Sequence, residues 1–494
     1  MRVLTRLLIL VLLCAAVSMA DTGEWFFSFA VTARTQLATL TPLISIDAVR
    51  GTTVVAYATA AQFARFQSLA IPYTILPHPS TLVTPRMSDD PRAVQARGAW
   101  DVYPTYGAYT SMMYGFAHDY PALCRITNVG NSVQGRQLLC AILSDNVWTR
   151  EDEPQVLYSA AMHGNETTGF ILLSRLIDYL LTNAGSVARA SNIIANVELW
   201  INPLANPDGT YYGGNSTVGS ARRYNANGVD LNRNFPDPKV GLHPDGNAWQ
   251  PETMAMIRLA TNQHFALSAN FHGGAEVFNY PWDTWPRRHA DDAWFIRIAR
   301  TYVETAHSNS PAGYMTDEND GIVNGWDWYE VNGGRQDYFT YFGRGREVTI
   351  EVSDTYLLPE AQFAAYWNYS RDALLGYIEE SLRGVRGVVT DPLGAPLAAL
   401  LSIPGYDKDN SEVMTDPACG DFHRLLDAGT YHLRVAAAGY PPMLVSNVLV
   451  TAGGCTRTNI VLVPEAGVCA LALGMTILLR KTILSHNHMY KEQV

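Results

Sequence analysis

The chain has 494 residues, 48% of them apolar and 16% charged, and carries a net charge of −11. The charged fraction lies below the ~25% of an average soluble protein, which excludes a disordered chain and leaves room for several globular domains. The acidic balance argues against nucleic acid or an anionic membrane surface as the main partner.

The first twenty residues (1–20) read as an export signal. Arg2 and Arg6 precede an apolar run over 7–17, and the small residues Ser18 and Ala20 stand ahead of Asp21. Cys14 follows Leu13, not a small residue, which argues against a lipid-modified start. Export would place Cys124, Cys140, Cys419, Cys455 and Cys469 in an oxidising compartment. Disulfides are expected between Cys124 and Cys140 and between Cys419 and Cys455, with Cys469 left over. No cysteine spacing resembles a zinc knuckle or ribbon, so any metal would rest on His and Glu.

Residues 21–98 read as a small α/β unit, with strands at 25–33, 52–58 and 73–76 and a helix over 60–69. The unit is either an inhibitory or folding-assisting pro-segment or a structural module. Its end, 77–97, contains several Pro, Ser and Asp residues and reads as a linker open to a protease.

From 99 to 383 strands alternate with helices. Helix 109–117 leads into a hairpin at 124–129 and 137–143, then strand 156–162 and helix 168–181. Further strands are expected at 197–201, 266–271 and 347–352, with helices at 254–262, 292–306 and 360–382. The pattern predicts an α/β domain whose mixed twisted sheet is covered by helices. From 384 to 464 short strands separated by Gly, Pro and Asp predict an all-β sandwich. The tail, 465–494, holds an apolar run over 466–479 followed by Arg480-Lys481, short for a membrane span.

The chemistry concentrates at strand ends. His163-Gly164-Asn165-Glu166 joins strand 156–162 to helix 168–181, so an imidazole and a carboxylate share one turn. In open α/β sheets ligands bind beyond the carboxyl ends of the strands. Alone this spacing is a weak signal. Phe271-His272-Gly273-Gly274 supplies a second imidazole at the end of strand 266–271, and two His with one Glu complete the ligand set of a catalytic zinc. Zinc hydrolysis needs a base, and Glu351, a lone carboxylate in Val348-Thr349-Ile350-Glu351-Val352, is the candidate. Arg223 and Arg233 offer guanidinium groups for transition-state charge and for a substrate carboxylate.

These motifs carry a family resemblance. With Asn206-Pro207-Asp208-Gly209, the run Arg223–Phe235, and Trp328-Tyr329-Glu330-Val331-Asn332-Gly333-Gly334, the chain resembles the zinc metallocarboxypeptidases over about 100–382. The likeness is to their regulatory branch, the carboxypeptidase N, E and D type, and 384–464 resembles the transthyretin-like domain that follows there. The resemblance implies one zinc per chain held by His163, Glu166 and His272, with Glu351 as general base and then acid. It implies Arg223 for the oxyanion, Asn232 and Arg233 for the substrate's terminal carboxylate, and Tyr329 over the bound C-terminal residue. It also implies a preference for C-terminal Lys or Arg, read by Asp283 and Gln336. Arg335 stands where the family carries Met; it is expected to face solvent, because no buried partner besides Asp283 is visible in the sequence.

The partner implied is a peptide or protein C-terminus. The alternatives are a zinc deacylase or cell-wall peptide hydrolase, and an inactive homologue that binds peptides. A membrane enters only through the tail, whose Val463-Pro464-Glu465 start resembles a bacterial C-terminal sorting signal although 482–494 continue past the basic pair. The other reading of the tail is plain disorder.

Overall fold

The computed structural model describes residues 23–95 and 100–465, so the expected export signal, Cys469 and the apolar tail lie outside the described residues. The N-terminal unit is a four-stranded sheet of β1 (Trp25–Ala30), β2 (Ser45–Arg50), β3 (Thr53–Ala58) and β4 (Tyr73–Ile75), ordered β2-β3-β1-β4. Helix α1 (Ala60–Gln67) starts at a capping box: Thr59 accepts the Gln62 N–H and Gln62 accepts the Thr59 N–H. Strand β2 lies outside the expected elements. All its residues but Arg50 are buried, so no in–out alternation marks it in the sequence.

The core of this unit, built on Phe27, Phe29, Phe63 and Phe66, takes in Ala275, Val277, Val323 and Trp328 of the domain that follows. The unit is therefore packed onto that domain. The predicted linker is held at both ends as well, by buried Pro79 and Ser80 and by Val94, while Leu82 between them is 69% exposed.

The central domain is built on an eight-stranded mixed sheet. In chain order its strands are β5 (Cys124–Asn131), β6 (Gln137–Leu143), β7 (Gln155–Ala160), β8 (Glu198–Asn202), β9 (Phe265–His272), β10 (Ala275–Tyr280), β11 (Ile322–Asn324) and β12 (Glu347–Ser353). They lie side by side as β11-β10-β12-β9-β7-β8-β6-β5. The middle four, β12, β9, β7 and β8, are parallel, and an antiparallel partner flanks them on each side. Helices α2 (Tyr106–Asp119), α3 (Thr168–Asn183), α4 (Pro251–Asn262), α5 (Asp292–Ser308), α6 (Arg335–Tyr341) and α7 (Phe363–Glu379) cover it.

Strand β7 is buried on both faces. Val156, Tyr158 and Ala160 join the core with α2, α3, α5 and α7, whereas Leu157 joins the cluster of α4 and α6. Helix α3 buries Leu172, Leu173, Leu176 and Leu180 against this sheet; each such side chain stabilises the fold by about 1.5–3 kcal/mol. That packing fixes the turn between β7 and α3, where His163 and Glu166 sit.

Neither expected disulfide forms. The β5–β6 ladder sets Cys124 opposite Leu143 and Cys140 opposite Thr127, three positions apart, and both thiols are buried and free. Cys419 and Cys455 are free too: Cys419 lies against the Glu151 carbonyl and Asp421, while Cys455 pairs in the ladder with Gly384.

Beyond 383 come β13 (Gly384–Thr390), β14 (Ala399–Ser402), β15 (Asp421–Arg424), β16 (Gly429–Ala437) and β17 (Met443–Val450), which with shorter strands make two sheets. The sheets share one core of Val385, Val389, Leu401, Phe422, Leu433 and Val435. Asp291 of the central domain ties this region down. Its carboxylate meets Arg424 of β15 at 2.8 and 2.9 Å and Arg346 of its own domain at 2.7 Å, all buried. Among the described residues no helix is long and apolar enough to cross a membrane.

Candidate metal centre and substrate cleft

The turn after β7 and the end of β9 meet at the carboxyl edge of the parallel strands. The loop 206–210 crosses the same point so closely that a Cβ on Gly164 would stand 2.3 Å from the Gly209 carbonyl carbon. Asn206 fixes that crossing, donating to the Met162 carbonyl (3.1 Å) and accepting from the Gly209 N–H (2.9 Å).

Three buried donors converge there. His163 Nδ1 lies 2.8 Å from Glu166 Oε1, His272 Nδ1 lies 2.9 Å from Glu166 Oε2, and the two Nδ1 atoms are 3.0 Å apart. Each outer ring nitrogen faces an acceptor: His163 Nε2 meets Asp230 Oδ1 at 2.9 Å and His272 Nε2 meets Asn270 Oδ1 at 2.6 Å. Acceptors outside hold the protons on Nε2 and turn the Nδ1 lone pairs inward, the arrangement that metal-ligating histidines use. Burial pulls His272 below its ordinary pKa and so favours the neutral ring. Burial would raise the Glu166 carboxyl, yet His163 and His272, where they carry a proton toward it, hold it well below the usual carboxylate range; a metal ion between them would take the place of that proton. Against burial and the charge of Arg223, the carboxylates of Glu166 and Asp230 raise His163, so its ring would give up a proton to take a metal. Two imidazole nitrogens and one carboxylate fit zinc, and leave the fourth position of a tetrahedral ion open.

Glu351 stands beside this centre because β12 runs parallel to β9 with Glu351 in register with His272. Burial pushes its carboxyl well above the ordinary range, the neighbouring carboxylates of Glu166 and Asp47 add to this, and Arg223 opposes it. Its Oε2 is buried with no hydrogen-bond partner, free to take one. Arg223 is also buried. Its Nη1 lies 3.1 Å from Glu166 Oε1 and its Nε 3.2 Å from Asp230 Oδ2.

The N-terminal unit reaches into this cleft through β2. Asp47 Oδ1 is 2.6 Å from Arg223 Nη1, Ser45 Oγ accepts from Arg223 Nε at 2.8 Å, and Tyr356 donates its hydroxyl to Asp47 Oδ2. The Ile46 carbonyl accepts from Arg233 Nη2 (3.1 Å) and from the Tyr329 hydroxyl (3.3 Å). Glu24, just ahead of β1, accepts the N–H groups of Arg223 and Tyr224 at 2.9 and 2.8 Å. Main-chain and carboxylate oxygens of the chain's own N-terminal unit therefore occupy the arginines of the cleft. Asn232 lies between these groups, its N–H on Asp230 Oδ1 (2.9 Å) and its Oδ1 accepting the Arg335 N–H (2.9 Å).

Asp283 and Gln336 come together as one buried pair. Gln336 Nε2 donates to Asp283 Oδ1 at 2.9 Å, and Asn279 Nδ2 donates to the same oxygen at 3.1 Å. Gly325 leaves room for that carboxylate: a Cβ there would stand 1.7 Å from Oδ1. Burial raises Asp283 to about 7; the amides of Asn279 and Gln336 and the charge of Arg233 pull the other way. The expectation for Arg335 is corrected. Its side chain is completely buried and pairs with Glu347, Nε 3.0 Å from Oε1, over the Phe339 ring. Glu347 opens β12, and sheet order alone brings it under α6, which is why no partner shows in the sequence.

Several residues of the centre escape the sequence pattern. Asp230 lies inside the quoted Arg223–Phe235 run and Asn270 two positions before His272, so both were within reach of an argument about what orients the ligands. Asp47 and Glu24 carry no local signal, because the unit that delivers them is folded far from the motifs.

The zinc carboxypeptidase family profile matches residues 109–373. The carboxypeptidase N catalytic chain of Homo sapiens is 34% identical over 390 residues, covering 72% of this chain and 83% of that protein. Carboxypeptidase D of Rattus norvegicus is 36% identical over 365 residues, covering 70% of this chain; the chain spans 26% of the length of that relative. Among solved structures, carboxypeptidase A from Helicoverpa armigera matches with a TM-score of 0.56 at 16% identity, over 72% of this chain and 97% of that one. Thrombin activatable fibrinolysis inhibitor matches with a TM-score of 0.54 at 18% identity, over 72% and 98%. At such identities the structural likeness speaks for the fold.

Proposed function

The chain belongs to the zinc carboxypeptidase family, and from that premise we propose that it removes single C-terminal residues from peptides, with preference for Lys or Arg. The observation that carries the specificity is the buried Asp283–Gln336 pair, a carboxylate enclosed away from water. Such a group gains most from a basic side chain that arrives with its charge.

His163, Glu166 and His272 would hold the zinc, which would supply Lewis acidity for the scissile carbonyl and the attacking water. Glu351 takes the proton of that water on its unpartnered oxygen and returns it to the leaving amine, the double duty of a single carboxyl whose pKa burial has raised. Arg223 meets the negative charge that develops on the carbonyl oxygen. Arg233, with Asn232, takes the substrate's terminal carboxylate, and Tyr329 closes over the residue to be removed. The contact of Arg233 and Tyr329 with one carbonyl oxygen, that of Ile46, supports this reading: both already converge on an oxygen at that spot.

The N-terminal unit is then an inhibitory pro-segment, since its Ile46 and Asp47 take the partners a substrate would need. The expected export signal and the net charge of −11 suit work on peptides outside the cytoplasm, and the two-sheet region after 383 is read as the transthyretin-like companion of the regulatory branch.

The test of specificity uses a ratio, because every peptide depends equally on the zinc centre and Glu351. Asp283 in the empty pocket is raised to about 7, so it is largely neutral at pH 6 and ionised at pH 8. A cation pairs only with the ionised form; kcat/KM for an Arg-ended peptide relative to a Leu-ended one is therefore expected to rise between those pH values. Asp283→Asn should flatten that rise and lower the Arg preference by about 10- to 100-fold, the worth of a charge-assisted hydrogen bond. A flat ratio in the native enzyme, or an Arg preference that survives in Asp283→Asn, would refute the basic specificity.

A further inference from the structure

We infer that Arg335 is a positioning residue for the metal ligand His272, acting through Glu347 and Asn270. The inference rests on the zinc reading of the site; the side chains of Arg335 and Glu347 meet none of the metal ligands, and Arg335 reaches the substrate cleft only through its backbone N–H on Asn232.

The contacts form one continuous buried series. Arg335 faces Glu347 side-on, Nε 3.0 Å from Oε1 and Nη2 3.2 Å from Oε2. Glu347 Oε1 accepts from Asn270 Nδ2 at 3.0 Å, and that amide nitrogen also meets the Val348 carbonyl (3.0 Å) and Thr349 Oγ1 (3.2 Å). With acceptors on the nitrogen side, Asn270 turns its Oδ1 toward His272 Nε2 at 2.6 Å. A ring nitrogen facing a carbonyl oxygen carries the proton, so Nδ1 keeps its lone pair for the metal. The amide orientation of Asn270 thus decides which nitrogen of His272 can ligate.

Glu347 as an anion, an acceptor only, shares with the Val348 carbonyl the task of holding that orientation. A carboxylate buried without a counter-charge would take up a proton, and a carboxylic acid can donate to Asn270 Oδ1 as readily as accept from its NH2. The orientation would then rest on the Val348 carbonyl and Thr349 alone, and wherever the amide turned over its NH2 would face His272 Nε2 and force the proton onto Nδ1. Arg335 prevents this by supplying the counter-charge. Its own place is fixed by its backbone N–H on Asn232 and its guanidinium over the Phe339 ring at 4.6 Å.

The experiment measures zinc affinity by competition with a chromophoric chelator, together with 15N shifts of histidine-labelled metal-free full-length chain. Arg335→Met keeps apolar bulk and removes the charge. It is expected to weaken zinc by about 10- to 100-fold, the usual effect of losing an outer partner of a ligand, and to show His272 as a mixture of tautomers. Arg335→Lys retains the charge and should recover most of the affinity. If Arg335→Met does not fold, the pair Arg335→Met with Glu347→Gln leaves no buried unpaired charge. The amide introduced by Glu347→Gln can offer either its oxygen or its NH2 to Asn270, so weakened zinc and mixed tautomers are again expected. Native zinc affinity with the Nε2–H tautomer kept in a folded variant overturns the inference. So does a fall in melting temperature with zinc affinity intact, because that outcome assigns Arg335 to the fold alone. Loss of all zinc binding from the unsubstituted chain would instead refute the zinc reading beneath it.

Discussion

Glu351→Gln is expected to keep zinc and substrate affinity while kcat falls by about 10²- to 10⁴-fold, the contribution of a well-placed acid–base group. The substitution exchanges one oxygen for an NH2 of the same size, so β12 and its register with β9 are undisturbed. The side chain makes no hydrogen bond through Oε2, so no native bond is broken there. Burying an amide where a carboxylate stood also removes a negative charge beside Glu166 and Asp47, which relieves repulsion and gives the variant no reason to unfold. Only proton transfer is lost, and KM should stay near its native value. The measurements are zinc content, KM and kcat of the processed enzyme on a hippuryl-type substrate; a kcat near native would remove Glu351 from the base role.

The second large effect belongs to the N-terminal unit. Intact chain is expected to be nearly inactive, and cutting within 77–97 followed by removal of the released unit should raise activity about 100-fold or more. The size follows from what a substrate must displace. The buried Arg223–Asp47 pair and the Arg233–Ile46 contact are hydrogen bonds to charged groups worth ~1.5–3 kcal/mol each, and every 1.4 kcal/mol is about tenfold in affinity. Asp47→Ala in the uncut chain should give a partial rise, because Ile46 would still meet Arg233 and Tyr329. Cutting the folded chain, not expressing it shortened, separates inhibition from assistance in folding. Full activity in the intact chain would leave the unit a structural module.

The parts of the site that could be read from the sequence are those whose chemistry and position are set by neighbours in the chain. His163 and Glu166 share a turn, and His272 and Glu351 each sit in an apolar strand that declares itself. The sandwich after 383 was equally legible from its turns. What could not be read depends on which strand lies next to which. Strand β2 is buried on both faces and hides Asp47. Arg335 looked solvent-bound because Glu347, twelve positions on, becomes its neighbour only through the placement of β12 under α6. The Cys124–Cys140 pair fails for a related reason: a hairpin brings two strands together, but its register decides which side chains face each other, and Cys140 stands opposite Thr127, three residues along the strand from Cys124.

Asp291 shows that position 383 divides the sequence but not the folding unit. One carboxylate holds an arginine from each side of that boundary, and the two guanidinium groups keep it well below its usual pKa against the pull of burial. Ending the chain at 383 would take away Arg424 and leave Asp291 with Arg346 alone, losing two charged hydrogen bonds worth about 1.5–3 kcal/mol each. The central domain and the region after it should therefore melt together in a single calorimetric transition, and a shortened chain meant to isolate the peptidase would begin its life already partly destabilised.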